Sequence, residues 1–188
     1  MFEDYPRETV LKDGSCVLLR PAVPDDEEGL NEFFARIPDD ESWFLRDDLA
    51  DPVIMRQWIK DLNYDRVIPM VAVRQDDDRI IANVRLHRRS ARCMRHVAHL
   101  RVMVDPEFRQ QRLGTWMLVD AIKLAMEIGI EKLVAEFVEG VEEAAISAAH
   151  KLDFFEQAVI KEYVMGPQGD YKNLIIMVKN VHRDWSDF

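Results

Sequence analysis

The stretch VDPEFRQQRLGT, residues 104–115, places Arg109, Gln110, Gln111 and Arg112 ahead of a single glycine, Gly114. An apolar run ends at Val104, Asp105 and Pro106 open a turn, and a long apolar segment follows Gly114. A helix that starts just behind such a turn presents free N–H groups and the positive end of its dipole, which suits a phosphate. Arg109 and Arg112 add formal positive charge. Two familiar phosphate sites are excluded by residue type. No Gly-Lys-Ser/Thr follows, so this is not a nucleoside-triphosphate loop, and two of the three glycines of a dinucleotide fingerprint are missing. By residue chemistry alone, an ordinary strand-to-helix turn with surface arginines explains the stretch at least as well as an anion site.

The elements that must position this turn follow from periodicity. In HVAHLRVMV, 96–104, Leu100, Val102 and Val104 fall on one face of a strand, and His99, Arg101 and Met103 on the other. The segment from Gly114 to about Ile128 reads as a helix stopped by Gly129, with a polar stripe of Trp116, Asp120, Lys123 and Glu127. Upstream, 15–22 reads as a strand, and 24–37 as a helix with acidic residues in its first turn. Residues 51–62 read as a helix opened by an Asp cap and a Pro. The runs 66–75 and 79–88 form a hairpin, 132–138 is a strand, 142–152 a helix, and 154–165 with 171–181 a second hairpin. Strand–helix–strand over 96–138 implies a right-handed parallel crossover, whereas the hairpins imply antiparallel pairing. The expected fold is α/β: a mixed, mostly antiparallel sheet of about seven strands with helices on both faces, in one domain spanning 1–188.

Composition narrows the function classes. Of 188 residues 48% are hydrophobic and 32% charged, an ordinary globular mixture. A formal net charge of −10 argues against general nucleic-acid binding, and no apolar run approaches the roughly 18 residues that span a bilayer. The acidic, polar start is unlike a secretory signal, and Cys16 and Cys93 are too few for a disulfide framework, so a cytoplasmic setting is expected. Neither cysteine has metal-ligand spacing, and no metal is expected. One basic exception, RLHRRSARCMRH at 85–96, carries five arginines and two histidines. It reads as a solvated hairpin loop or as a docking patch for an acidic partner.

The central stretch resembles the GNAT superfamily of acyl-CoA-dependent N-acyltransferases, in which V-x-P-x-[YF]-[RQ]-x-x-G-x-[GA] links a strand to a long helix. Val104, Pro106, Phe108, Arg109 and Gly114 match, whereas Arg112 stands where the family has glycine. VLLRPAVPDDEEGLNEFF is similar to the family's first strand and helix, and AISAAHKLDFF to its later helix-to-strand motif. The resemblance thus covers most of the chain. It implies that acetyl-CoA is the cosubstrate, with its pantetheine arm along Val102, Met103 and Val104. Its pyrophosphate would lie on the amides of Arg109, Gln110, Gln111, Arg112, Leu113, Gly114 and Thr115. The Thr115 hydroxyl would contact a phosphate or cap the helix. Arginine at 112 fits this role if its φ is negative, since only glycine adopts positive φ freely.

The resemblance also implies an acid–base apparatus, because an amine nucleophile must lose a proton and a thiolate must gain one. His99 occupies the place of a glutamate that related sequences often carry five residues ahead of the final valine, and is the expected base. The family's tyrosine acid falls at Ala149 and a nearby asparagine at Glu142, so Tyr163 is the substitute acid, or solvent serves. A strand amide near Val102 would meet the oxyanion, and Cys93 is expected to be inert. Glu136 and Glu139 are weighed as contacts for an amine and as surface carboxylates. The acceptor, a primary amine of a small molecule or protein, is not legible in the sequence, although an acidic protein could attract a cationic amine. A non-catalytic acyl-CoA-binding module and an interaction protein docking through 85–96 remain open, as does a homodimer.

Overall fold

A computed structural model describes residues 2–45, 49 and 51–181. The strands are β1 (Arg7–Val10), β2 (Cys16–Pro21), β3 (Val67–Arg74), β4 (Ile80–Arg88), β5 (Val97–Val104), β6 (Lys132–Val138), β7 (Phe155–Met165) and β8 (Tyr171–Asn180). The helices are α1 (Glu27–Ala35), α2 (Asp39–Ser42), α3 (Pro52–Lys60), α4 (Leu113–Glu127) and α5 (Glu143–His150). Among the described residues the strands form one sheet in the order β1-β2-β3-β4-β5-β6-β8-β7, in which only β5 and β6 pair in parallel. The expected mixed sheet and its α4 crossover are therefore present. The eighth strand is β1, too short and too polar to stand out by alternation.

Arg7 fastens β1 to the helix layer by reaching Asp120 at 2.8 Å and Glu127 at 3.0 Å, while the Tyr5 hydroxyl donates to Asp120 at 2.8 Å. Asp120 is thus buried rather than part of a solvated stripe, which corrects the reading of α4 as polar there. Burial and the hydrogen bond to Asp120 together push the Tyr5 hydroxyl well above its usual range. Such a contact between residues over a hundred positions apart leaves no periodic trace.

Two apolar layers flank the sheet. Leu30, Phe33 and Phe34 of α1 and Met55 and Ile59 of α3 pack with Val71 and Val73. On the other face, Leu113, Met117, Ala121 and Leu124 of α4 pack with Val84, Leu86, Ala98 and Leu100. α3 starts as its sequence requires, with the Asp51 carboxylate accepting from the Val53 amide at 2.7 Å and Pro52 in the first turn. Arg20 is pinned by two 2.7 Å hydrogen bonds to Asp26, just ahead of α1. Among the described residues no helix is long and apolar enough to cross a membrane.

Candidate active site

β5 and β6 pair from Val97 with Lys132 to Leu100 with Ala135, and then diverge. Beyond that point β6 continues against β8, through Glu136 with Ile176 to Val138 with Leu174, while Arg101–Val104 keep only β4 as partner. One backbone edge of β5 therefore lines a wedge in the sheet. The Asp105 amide donates to the Ile81 carbonyl, so by alternation Met103 turns its backbone groups to β4, and Val102 and Val104 present theirs to the wedge. Arg101 bridges the wedge. Its guanidinium donates to the carbonyls of Glu136 at 3.3 Å and Phe44 at 3.2 Å, and lies 3.3 Å from the Glu142 carboxylate. Glu142 in turn accepts from the Val138 amide at 2.8 Å, so it caps the end of β6.

The turn behind β5 is anchored from below. Asp105 is 1% exposed and accepts from Arg36 Nε at 2.7 Å, from Arg79 at 2.8 Å and from the Glu107 amide at 3.1 Å. Burial alone would raise this carboxyl, but the hydrogen bonds from Arg36, Arg79 and the amide outweigh it and hold it below the usual carboxylate range. Phe108 is buried, with the Arg74 and Arg79 guanidinium groups over its ring at 5.2 and 5.4 Å. Asp105 was legible only as a turn former. Its role as the buried anchor depends on Arg36 and Arg79, which are remote in sequence.

Above that anchor the chain turns through left-handed backbone at Gln110, φ 61°, and at Arg112, φ 67°. The condition of a negative φ, under which arginine would fit at 112, is not met. The turn keeps the conformation glycine would adopt and bears the side chain's steric cost, about 1–2 kcal/mol at such a position. No side chain caps the start of α4 at Arg112, so the first amides of the helix stay open to a ligand. Leu113 is buried, so its amide rather than its side chain is what it can offer. Thr115 is exposed and lies inside the first turn, so it is not the N-cap. Arg109 departs from the expected free cation, because both its terminal nitrogens sit 2.7 Å from the Glu41 carboxylate and its Nε donates to the Val104 carbonyl at 3.2 Å. It ties α2 to the turn. Of the two arginines, Arg109 has an ion pair, whereas Arg112 has none among the described residues.

His99 stands on the α1–α3 face, opposite His87 of β4, and Arg101 stands opposite Arg85. The alternation read from the sequence is realised. Arg89 approaches His99 Nε2 to 2.9 Å. Arginine can only donate, so Nε2 accepts and the neutral ring carries its proton on Nδ1, which faces Glu136 Oε1 at 3.5 Å. Glu136 is therefore a partner of the imidazole, whereas Glu139 accepts from the Asn173 side-chain Nδ2 at 2.6 Å. His99, Arg89 and Glu136, with His87, Arg85 and Arg101, line a cavity of about 350 Å³. The basic stretch is not a solvated loop throughout. Arg85 is 1% exposed, and β4 runs on through Arg88. Arg85, Leu86 and His87 alternate polar, apolar, polar, which was the available signal for a polar strand face.

The remaining assignments lie apart. Tyr163 is 64% exposed on β7, separated from β5 by β6 and β8, and no hydrogen bond joins it to His99. Ala149 is buried in the core beside α4, and Cys93 is an exposed free thiol in the β4–β5 connection. Asp153, in the turn between α5 and β7, adopts the left-handed φ of 59°.

A strand edge exposed in a wedge, an uncapped helix start at its tip and a histidine–carboxylate cavity beside it define a domain that can hold one extended substrate against a second. Residues 28–154 match the model of the Acetyltransferase (GNAT) family, and the chain belongs to that family. An acetyltransferase of the GNAT family from Streptococcus pneumoniae superposes with a TM-score of 0.76 at 22% identity, covering 88% of this chain and 99% of the other. The ribosomal-protein-S5-alanine acetyltransferase of Vibrio fischeri gives 0.75 at 16%, covering 95% and 98%. The yncA protein of Salmonella typhimurium, solved with its cofactor acetyl-CoA, gives 0.74 at 18%, covering 90% and 96%. At these identities the likeness concerns the fold. No curated protein matches the chain by sequence.

Proposed function

We propose that the protein is an N-acetyltransferase that moves the acetyl group of acetyl-CoA to a primary amine by direct attack. The observation that carries this reading is the wedge between β5 and β6, with the uncapped start of α4 at its tip. Membership of the acetyltransferase family and acetyl-CoA in the Salmonella neighbour support it. The pantetheine arm then runs along Val102–Val104, and the pyrophosphate meets the amides from Arg109 to Thr115. The amine nitrogen attacks the thioester carbonyl carbon, the C–S bond breaks, and an amide and coenzyme A leave. His99 takes the amine proton on Nε2 once Arg89 has moved aside, and Glu136 steadies the imidazolium through Nδ1. The position of Tyr163 on β7 favours solvent as the source of the thiolate's proton.

Calorimetry with acetyl-CoA, followed by a free-thiol release assay over an amine panel, tests the reading. No binding at millimolar ligand sinks it, and binding without turnover of any amine reduces the protein to a binding module. Gly114 sharpens the binding arm. A Cβ there meets only Val104 Cγ2, at 3.5 Å, so Gly114→Ala fits the free protein and stabilises a helical position by about 0.5–1 kcal/mol. Against a ligand lying on the backbone the same methyl intrudes. The expected result is an unchanged or raised melting temperature with acetyl-CoA affinity reduced about tenfold, equivalent to about 1.4 kcal/mol. Unchanged affinity would place the pyrophosphate elsewhere.

A further inference from the structure

We infer that the acceptor is a small amine that also carries an anionic group, a carboxylate or phosphate, and that Arg89, with Arg88, recognises that group at the mouth of the His99 cavity. This rests on the acyltransferase reading and names its second substrate. The protein as a whole bears a net charge of −10, which by itself would favour a cationic acceptor. The cavity has the opposite character. Among the described residues four arginines line it, Arg85, Arg88, Arg89 and Arg101, and one carboxylate, Glu136.

The four are not equivalent. Arg101 is committed to Glu142 and to two backbone carbonyls. Arg85 is fully buried and already partnered, so it shapes the wall. Arg88 is a quarter exposed, and its carboxylate neighbour, Asp65, lies 3.6 Å away and is itself 89% exposed, a weak commitment. Arg89 is exposed, and its partner is the His99 imidazole rather than an acid. A guanidinium resting on a neutral imidazole gains less than one facing a carboxylate, so an incoming anion competes for it on favourable terms.

The exchange serves the reaction. Arg89 now occupies Nε2, the atom that must receive the amine proton. A substrate anion that draws Arg89 to itself frees Nε2. It also offsets the cation beside a ring that becomes positive on protonation, since like charges at close range oppose each other. The volume fits a small acceptor. About 350 Å³ holds roughly a dozen water-sized groups at ~30 Å³ each, enough for an amine and an acid joined by a short chain.

The test uses the intact protein, saturating acetyl-CoA and four acceptors of like length: 4-aminobutyrate, 3-aminopropyl phosphate, 4-aminobutyramide and 1,4-diaminobutane. The two anionic acceptors are expected to exceed the amide and the diamine in kcat/KM by at least about tenfold, as one charge-assisted contact allows. Arg89→Gln, which can still donate to His99, should remove most of that preference through KM, and Arg89→Lys should restore part of it. Equal or better turnover of the amide or diamine overturns the inference, as does an undiminished preference in Arg89→Gln. If none of the four turns over, NMR titration of the His87 and His99 ring signals with inorganic phosphate and with 4-aminobutyrate decides. Millimolar shifts lost in the Arg88→Gln/Arg89→Gln double variant support the anion site, and their absence overturns it. Failure of acetyl-CoA itself to bind sinks the acyltransferase reading instead, and leaves the NMR outcome to stand for the anion site alone.

Discussion

Replacing His99 with glutamine is expected to lower kcat for amine acetylation about 10²-fold while leaving the acetyl-CoA dissociation constant within about twofold, the lower end of what a positioned base contributes. Glutamine is the informative substitution because its side-chain carbonyl can still accept from Arg89, as Nε2 does now, while lacking any group that takes a proton at neutral pH. A loss of stability therefore cannot stand in for a loss of catalysis, and equal melting temperatures would make that explicit. The imidazole also predicts a signature that a structural histidine would not give. The wild-type pH–rate profile should fall on its acid side as the ring becomes protonated, and that limb should vanish in His99→Gln. Glu136→Gln should show a milder loss, because it removes the carboxylate facing Nδ1 but leaves the base. Full activity in His99→Gln would remove the histidine from the mechanism and leave the amine to lose its proton to water.

What the sequence could show of this site was governed by contact range. The alternation in β5 set His99 apart from Leu100 correctly, because strand period is a local property. The order strand, turn, helix also emerged from neighbouring residues. The conformation of the turn did not. Arg112 lies in left-handed backbone, against arginine's own preference, in a turn flanked by the buried Asp105, Phe108 and Leu113. Nor could it show that Arg109 spends its charge on Glu41, 68 residues earlier, or that Glu142 closes β6 and meets Arg101. The basic stretch at 85–96 misled for the same reason. Its charge suggested a wet loop, whereas the long apolar pattern of β4 carries Arg85 and His87 inward beside His99.

The second large effect is expected at Asp105. Asp105→Ala should destabilise the fold by about 2–3 kcal/mol, because it strips a buried carboxylate from two arginines and leaves their donors unmatched. This lies at or below the roughly 3–5 kcal/mol of a fully buried broken pair, since Arg36 and Arg79 are about a quarter exposed and water can reach them. The pH dependence has a definite sign. Native contacts hold the Asp105 carboxyl below its unfolded value, so the folded state favours the ionised form. Its contribution is complete above the ordinary aspartate range and is lost as pH falls through about 4 toward the native value. Urea unfolding at pH 7 and at pH 3 should therefore show the gap between wild type and Asp105→Asn narrowing in acid. A gap that stays constant would mean the carboxyl's charge contributes nothing and only its shape matters. Because Asp105 joins β5 to the turn ahead of α4 and also holds Arg36 at the end of α1, the same variant should weaken acetyl-CoA binding even where it remains folded. Gly114→Ala is expected to weaken binding without destabilising the protein, so measuring both variants separates a distorted turn from an obstructed one.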